Sequence, residues 1–220
     1  MNIDIHFNEF GDNLEFKPNI LNVQKYFPEA KIKIFREVEP SLNFDKTHER
    51  YGNRVHNYYS FKNALESNAD IVFSLDADMY IVNEKVKAIT VLAQKFGICV
   101  TMCNRYLVGV DTKIGSDSDK QIDDTLGTFS AMNPFPMAIN TKDERARKLA
   151  SSYLELYREK PLRASLVLWR AIYKTGIVPC LLPMQWCVCG GSEGIGNEII
   201  LHIGHEKVRR YYGEKLGLSF

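Results

Sequence analysis

The chain has 220 residues, 45% hydrophobic and 25% charged, and 28 basic residues against 27 acidic ones give a net charge of +1. This length favours one domain, and the charge balance excludes a general attraction to nucleic acid or anionic membranes. No apolar run is long enough for a membrane span and the start does not resemble a signal peptide, so we expect a cytoplasmic protein.

The first half of the chain alternates predicted strands with predicted helices. Short apolar or alternating runs indicate strands at residues 3–7, 31–35, 71–75 and 98–102. Apolar residues at helical spacing indicate helices at residues 14–27, 54–67 and 84–95. This order is typical of an α/β protein with a mostly parallel central sheet flanked by helices.

Two carboxylates follow the most apolar of these strands. The run IVFSL leads directly into Asp76 and Asp78, and open α/β sheets bind ligands just beyond their strand ends. Hard divalent cations take oxygen ligands and complete their shell with water and substrate phosphates. The spacing therefore predicts a metal bridge from carboxylate to diphosphate, with a helix or turn cap as the alternative.

One of the predicted helices begins with an arginine. Arg54 lies in the first turn of the helix at 54–67, where the helix dipole disfavours a positive charge that has no anionic partner. We therefore expect Arg54 to contact a nucleotide phosphate or an aspartate, and an ordinary surface arginine is the alternative.

The second half begins with a long polar segment. Residues 103–139 break the alternation, and loops of such length in compact domains are usually functional or disordered. A short strand is predicted at 137–140, and Thr141 and Glu144 have the spacing of a capping box for a helix to about residue 159. A further helix from 161 and a strand at 177–182 follow.

Five cysteines occur in the chain. Their odd number and the lack of paired C-x-x-C spacing favour small buried side chains in a reducing compartment over a metal site. They are Cys99, Cys103, Cys180, Cys187 and Cys189.

The C-terminal region carries a second polar pattern. A short apolar strand at 199–201 ends at His202, and Gly204, His205 and Lys207 follow. Together with the D-x-D motif, this H-x-G-x-x-K pattern resembles GT-A glycosyltransferases, especially the glycogenin-like retaining group. The usual pattern there is H-x-x-G-x-x-K, and the contraction by one residue leaves His202, which we favour, or His205 as the metal ligand.

The resemblance implies a Rossmann-like GT-A fold and transfer of a sugar from a nucleotide sugar, here a UDP-sugar, to a hydroxyl group. It implies that Asp78 binds the metal, that Asp76 binds the metal or the ribose, and that His202 completes the shell. Imidazole among the ligands favours Mn²⁺, with Mg²⁺ as the alternative. Lys207 would contact the diphosphate.

Further roles follow from the resemblance. The exits of the first two strands would hold the nucleotide, which makes Asn8, Glu9 and Arg36 candidates, with ordinary polar loop residues as the alternative. Residues 1–103 would form a nucleotide-binding half, and residues 104–220 an acceptor-binding half with the C-terminal element for the metal and the diphosphate. An inverting enzyme would need a carboxylate base. The candidates are Asp123, Asp124 and Glu193; a retaining enzyme, slightly favoured by Lys207, would need none.

Two other functions remain open on the sequence alone. A phosphatase or phosphotransferase of the haloacid dehalogenase type also has a D-x-D motif after an apolar strand, although its motif normally lies on the first strand. A non-catalytic module of the same fold could bind a nucleotide or another protein. The acceptor could be a glycan, a small molecule or a modified base in phage DNA, and Arg209 and Arg210 are the candidates for contact with a DNA acceptor.

Overall fold

The structure, a computed structural model, describes residues 1–8, 19–36, 44, 47, 51–106, 130–161, 164–189 and 196–217, and these residues form eight strands and six α-helices. The strands are β1 Ile3–Asn8, β2 Lys31–Phe35, β3 Ile71–Leu75, β4 Met79–Ile81, β5 Ile98–Tyr106, β6 Ser130–Asn140, β7 Cys180–Leu182 and β8 Ile200–His202. The α-helices are α1 Ile20–Tyr26, α2 Tyr51–Leu65, α3 Ala88–Phe96, α4 Glu144–Glu159, α5 Ala164–Thr175 and α6 Glu206–Leu216.

A six-stranded sheet in the order β2-β1-β3-β6-β5-β7 forms the centre, and β4 and β8 form a separate two-stranded sheet. Strand β1 is parallel to β2 and β3, and β5 is parallel to β7. Strand β6 is antiparallel to its neighbours β3 and β5. The mostly parallel sheet is therefore confirmed, with one antiparallel strand inserted between β3 and β5.

The inserted strand corrects one prediction. Strand β6 begins at Ser130, within the segment 103–139 that was expected to be a loop. Consecutive pairings with β5 leave residues 134–137 opposite a single residue of that strand. Pro134 and Pro136 lie in this irregular stretch, where a missing N–H costs no ladder hydrogen bond. Because proline within a run normally argues against a strand, the sequence pattern did not predict a strand at residues 130–136.

Aromatic side chains fill the space between the helices. The ring of Phe61 on α2 stacks on Tyr153 of α4 with centroids 3.9 Å apart, and Tyr58 and Tyr157 continue this cluster. All four side chains are fully buried. The aromatic residues predicted on α4 therefore belong to the core, and they fix α2 against the rest of the fold.

The start of α4 differs from its prediction. Asp143, not Thr141, caps the helix, and its side chain accepts a hydrogen bond from the Ala146 N–H at 2.8 Å. The Thr141 hydroxyl instead donates to the Ala69 carbonyl oxygen at 2.5 Å. Because this partner comes from a distant segment, Thr141 links α4 to the residues before β3, and the capping-box prediction with Glu144 is wrong.

Candidate metal centre

The two aspartates of the D-x-D motif lie in the tight turn between β3 and β4. Every residue of β3 is buried, as are Met79 and Ile81 of β4. The Met79 N–H donates to the Asp76 carbonyl oxygen at 3.0 Å and closes the turn. Because the turn follows the carboxyl end of β3, Asp76 and Asp78 lie at the sheet edge where α/β proteins bind ligands.

Strand β8 brings His202 to the same turn. Met79 pairs with His202 in the antiparallel ladder of β4 and β8, and the Ile203 N–H donates to the Asp78 carbonyl oxygen at 2.8 Å. His202 Nε2 lies 3.0 Å from Asp78 Oδ2 and 3.9 Å from Asp76 Oδ2. Two carboxylates and one imidazole from distant parts of the chain thus form one cluster.

Gly204 leaves room for this cluster. A Cβ atom at this position would lie 1.9 Å from Asp78 Oδ2, far inside any possible contact distance. The Gly204 backbone is outside the left-handed region, so a side chain is excluded by the carboxylate and not by the dihedral angles. The glycine of the H-x-G-x-x-K pattern therefore has a steric reason.

His56 of α2 holds the other side of Asp76. Its Nε2 lies 2.6 Å from Asp76 Oδ1, its Nδ1 lies 2.8 Å from the Asn8 carbonyl oxygen, and its ring packs edge-on against Phe135. His56 was not among the residues predicted for the site. Helical spacing identified its neighbours as core residues, and nothing in the sequence connects α2 with the β3–β4 turn.

The charges of the cluster depend on these contacts. Burial alone would lower the pKa of His56 and raise that of Asp76, but their mutual attraction and hydrogen bond outweigh burial in both. Burial also opposes charge on His202, yet contacts with Asp78, Cys189 and Asp76 raise its pKa well above the usual value. A cation bound by His202 must displace a proton, so its affinity falls as the pH falls.

Two thiols contact the opposite edge of the His202 ring. Val188 forms a parallel bridge with Leu201, next to His202, and its neighbours Cys187 and Cys189 face the imidazole. The Sγ atoms are 3.6 Å apart, and they lie 4.0 Å and 3.6 Å, respectively, from His202 Nδ1. The expectation of isolated buried cysteines did not include this grouping, because the histidine reaches it only through the pairing of β8.

The two candidate histidines of the C-terminal pattern have different surroundings. His202 contacts both aspartates, whereas His205 is the N-cap residue of α6 and forms no side-chain capping bond. The ring of His205 packs edge-on against His202 with centroids 4.8 Å apart. In the part of the chain that the structure describes, both groups of side chains that could hold a cation contain His202, and neither contains His205.

Comparison with known proteins bears on the fold. No protein-family model matches the sequence, and no curated protein matches it. A glycosyltransferase involved in the glycosylation of the major capsid of PBCV-1 matches with a TM-score of 0.55 at 13% identity, over 98% of this chain and 100% of that one. Mouse xyloside xylosyltransferase 1 gives 0.55 at 10% identity, over 94% and 99%. The galactosyltransferase LgtC, in complex with donor and acceptor sugar analogues, gives 0.53 at 13% identity, over 99% and 96%.

The chain has the GT-A fold. The mixed sheet, the D-x-D turn at the end of β3 and the similarity to three glycosyltransferase structures over nearly their full length agree on this point. The fold predicted from the sequence is therefore confirmed. Within the segments that the structure describes, no helix combines the length and the apolar character needed to cross a membrane.

In this GT-A fold the predicted nucleotide contacts differ in their surroundings. The Asn8 side-chain amide donates a hydrogen bond to Ser60 at 2.9 Å and accepts one from Asn63 at 2.7 Å. Both ends of this side chain are therefore already hydrogen-bonded within the protein. Arg36 is exposed after β2, and Arg54 is only 8% exposed on α2. Their contacts with a nucleotide stay predictions.

The other predicted residues are divided between α6 and segments that are not described. Lys207 is exposed in the first turn of α6, five residues after His202. Asp123, Asp124 and Glu193 lie outside the described residues, so their predicted role as a base stays a prediction.

Proposed function

We propose that the protein is a metal-dependent glycosyltransferase that moves a sugar from a nucleotide sugar, a UDP-sugar, to a hydroxyl group. The observation that carries this proposal is the cluster of Asp76, Asp78 and His202 at the β3–β4 turn of a GT-A fold. The three similar structures are glycosyltransferases, and LgtC was solved with donor and acceptor sugar analogues, which supports the same class of reaction here.

The donor atoms of the cluster fit a divalent cation. One ligand atom from each of Asp76, Asp78 and His202 can be chosen so that all lie within 4.8 Å of one another. Adjacent ligands of an octahedral ion with bonds of about 2.0–2.1 Å are about 2.9 Å apart, and Asp78 Oδ2 lies 3.0 Å from His202 Nε2. Carboxylates suit Mg²⁺ and Mn²⁺, and the imidazole favours Mn²⁺.

The chemistry explains why such a cluster is useful. Sugar transfer breaks the bond between the anomeric carbon and a phosphate oxygen, and negative charge develops on the leaving diphosphate. A bound cation neutralises this charge. We assign the ammonium group of Lys207 to the same diphosphate, as a second positive charge near the cluster.

Arg54 is a further proposed partner of the phosphates. Its guanidinium is buried, and within the described residues Nη2 has no hydrogen-bond acceptor. A buried donor without a partner costs about 1–3 kcal/mol, so an anionic oxygen that satisfied it would gain most of this energy. The prediction that Arg54 pairs with a phosphate therefore rests on burial as well as on its position in α2.

The acceptor side is proposed more broadly. Residues 104–220 would bind the acceptor, which could be a glycan, a small molecule or a DNA base, and residues 1–103 the nucleotide. If the reaction inverts the anomeric configuration, one of three carboxylates would take the proton of the acceptor hydroxyl. These are Asp123, Asp124 and Glu193.

Nucleotide release from donor sugars tests the proposed reaction. The purified protein is incubated with UDP-sugars and GDP-sugars in Mn²⁺, Mg²⁺ or EDTA, without acceptor, and free nucleoside diphosphate is measured together with the melting temperature. We expect slow release that needs the metal and is confined to one nucleotide family. A metal-dependent thermal shift without release would instead favour a binding module. Phosphate release from simple phosphate esters would favour a phosphatase.

His56 acts as a positioning residue for Asp76 in this proposal. It holds Oδ1, so the carboxylate can present Oδ2 to a cation. We expect His56→Ala to raise the Mn²⁺ concentration needed for half-maximal turnover about 10- to 100-fold, as for other groups that orient metal ligands. A Mn²⁺ titration of donor hydrolysis measures this, and His56→Gln should recover part of the affinity. An unchanged Mn²⁺ requirement in His56→Ala would contradict the role.

A further inference from the structure

We propose that Cys187, Cys189 and His202 form a second cation site, rich in sulfur, which binds Zn²⁺ through the two Sγ atoms and His202 Nδ1. The cluster of Asp76, Asp78 and His202 Nε2, called the oxygen-rich cluster below, uses neither these thiols nor His202 Nδ1. The zinc site itself is independent of the proposed function, whereas its effect on turnover rests on that function.

The backbone sets the two thiols side by side. The Val188 N–H donates to the Ile200 carbonyl oxygen and the His202 N–H to the Val188 carbonyl oxygen, each at 3.0 Å. Side chains two positions apart in an extended segment point to the same face. Cys187 and Cys189 therefore both reach the imidazole of His202, and Cys187 is only 4% exposed. The sulfur atoms are presented by a hydrogen-bonded segment.

The distances match the edges of a tetrahedral zinc site. With Zn–S bonds of about 2.3 Å and Zn–N bonds of about 2.05 Å, two sulfurs are about 3.8 Å apart, and a sulfur and a nitrogen about 3.6 Å apart. The observed Sγ–Sγ distance is 3.6 Å, and the two Sγ–Nδ1 distances are 3.6 Å and 4.0 Å. Each edge thus lies within about 0.4 Å of its expected length. Little rearrangement would be needed to hold the ion.

The ligand types select the metal. Thiolates are soft ligands that prefer Zn²⁺ over Mn²⁺ and Mg²⁺, and two cysteines with one histidine leave the fourth position for water. Asn133 Nδ2 lies 3.3 Å from Cys187 Sγ and can donate a hydrogen bond to the thiolate. As zinc binds, the thiols give up their protons to solvent.

The two proposed cation sites share His202, so they cannot both use this histidine as a ligand at the same time. A neutral imidazole has one nitrogen lone pair, so zinc on Nδ1 leaves the proton on Nε2. That N–H would then donate to Asp78 Oδ2, 3.0 Å away, in the arrangement in which a carboxylate supports a zinc-bound histidine. Zinc would therefore remove His202 from the oxygen-rich cluster and inhibit Mn²⁺-dependent turnover.

Cobalt provides a direct readout of the site. The full chain, kept reduced by a non-thiol reductant, is titrated with Co²⁺ and then with Zn²⁺. We expect one Co²⁺ per chain to produce a thiolate-to-cobalt charge-transfer band and the visible bands of tetrahedral cobalt, and Zn²⁺ to bleach both. Cys187→Ser and Cys189→Ser should each weaken binding at least about 100-fold, since each removes a soft ligand.

Two further variants make the result specific. Cys180 lies on β7, next to Cys99 and outside the cluster, so Cys180→Ser should leave the cobalt spectrum unchanged. Asp76→Asn removes a ligand of the oxygen-rich cluster only, so it should keep the thiolate band. The proposed zinc site would be contradicted if the wild-type protein showed no thiolate-to-cobalt band, or if the band survived both serine substitutions.

The regulatory effect is measured separately. Zn²⁺ at one equivalent should lower Mn²⁺-supported nucleotide release at least about tenfold, the size expected when a metal site loses one ligand or its support. The ratio of inhibited to uninhibited release should approach one in Cys187→Ser. Equal inhibition in this variant would overturn the shared-histidine mechanism. If the unchanged protein released no nucleotide, the proposed function would fail while the cobalt result still decided the zinc site.

Discussion

We expect Asp78→Asn to lower the proposed metal-dependent turnover of a nucleotide-sugar donor about 100- to 1000-fold, the loss measured when one charge-stabilising group of an active site is removed. Asparagine keeps the size of the side chain but loses the charge that faces His202 at 3.0 Å. A bound cation would lose an anionic ligand, and the imidazole would lose the carboxylate that faces it. The kcat/KM of donor hydrolysis, measured over a range of Mn²⁺ concentrations, quantifies the loss.

A matched aspartate lies at the opposite end of the same strand. Asp70 directly precedes β3, and its Oδ2 accepts a hydrogen bond from the Asn2 N–H at 2.8 Å. We expect Asp70→Asn to retain turnover close to that of the unchanged protein. If both substitutions reduced turnover equally, the loss in Asp78→Asn would reflect damage to the fold and not the removal of a metal ligand.

We expect Gly204→Ala to weaken the proposed Mn²⁺ binding about 10- to 100-fold, the range found when the groups that orient a metal ligand are disturbed. The new Cβ would lie 1.9 Å from Asp78 Oδ2, so the carboxylate must rotate away from His202. Alanine fits the backbone dihedral angles of this residue, so most of the fold should persist. The increase in melting temperature caused by Mn²⁺ should disappear, which calorimetry can measure.

A double-mutant cycle separates the steric effect from a general loss of stability. The two nearest atoms to the new Cβ belong to the Asp78 carboxylate, and Asp78→Ala removes them. In that background Gly204→Ala should cost much less free energy of unfolding than it does alone. Equal costs in both backgrounds would mean that Gly204 serves the backbone and not the carboxylate.

The alternation of strands and helices as far as β5 was predicted from the sequence, apart from the short strand β4, but the order of the strands across the sheet was not. The run IVFSL of β3 is continuous and apolar, as a strand buried on both faces requires, so local pattern was sufficient. The position of β6 depends on pairing with β3 and β5 at long sequence separation. Its Pro134 and Pro136 contradict a strand locally, and tertiary pairing overrides that preference.

The residues of the candidate site also fall into those that local sequence predicts and those that only long-range contacts bring together. Asp76 and Asp78 were predictable because they directly follow β3 along the chain, and His202 because the C-terminal pattern resembles that of known glycosyltransferases. His56 and the two thiols were not predictable as site residues, since they reach Asp76 and His202 only through helix packing and the bridge at Val188. Contacts between distant segments carry no local signature.

His202 follows the two aspartates by more than 120 residues, and this separation has a consequence for the nascent chain. A ribosome adds roughly 5–20 residues per second, so crossing the 124 positions from 78 to 202 takes about 6 to 25 seconds. During this interval the nascent polypeptide already carries both aspartates but lacks the imidazole that joins them. Capture of an ion by all three residues would therefore wait until residue 202 has been made, after the strands of the six-stranded sheet.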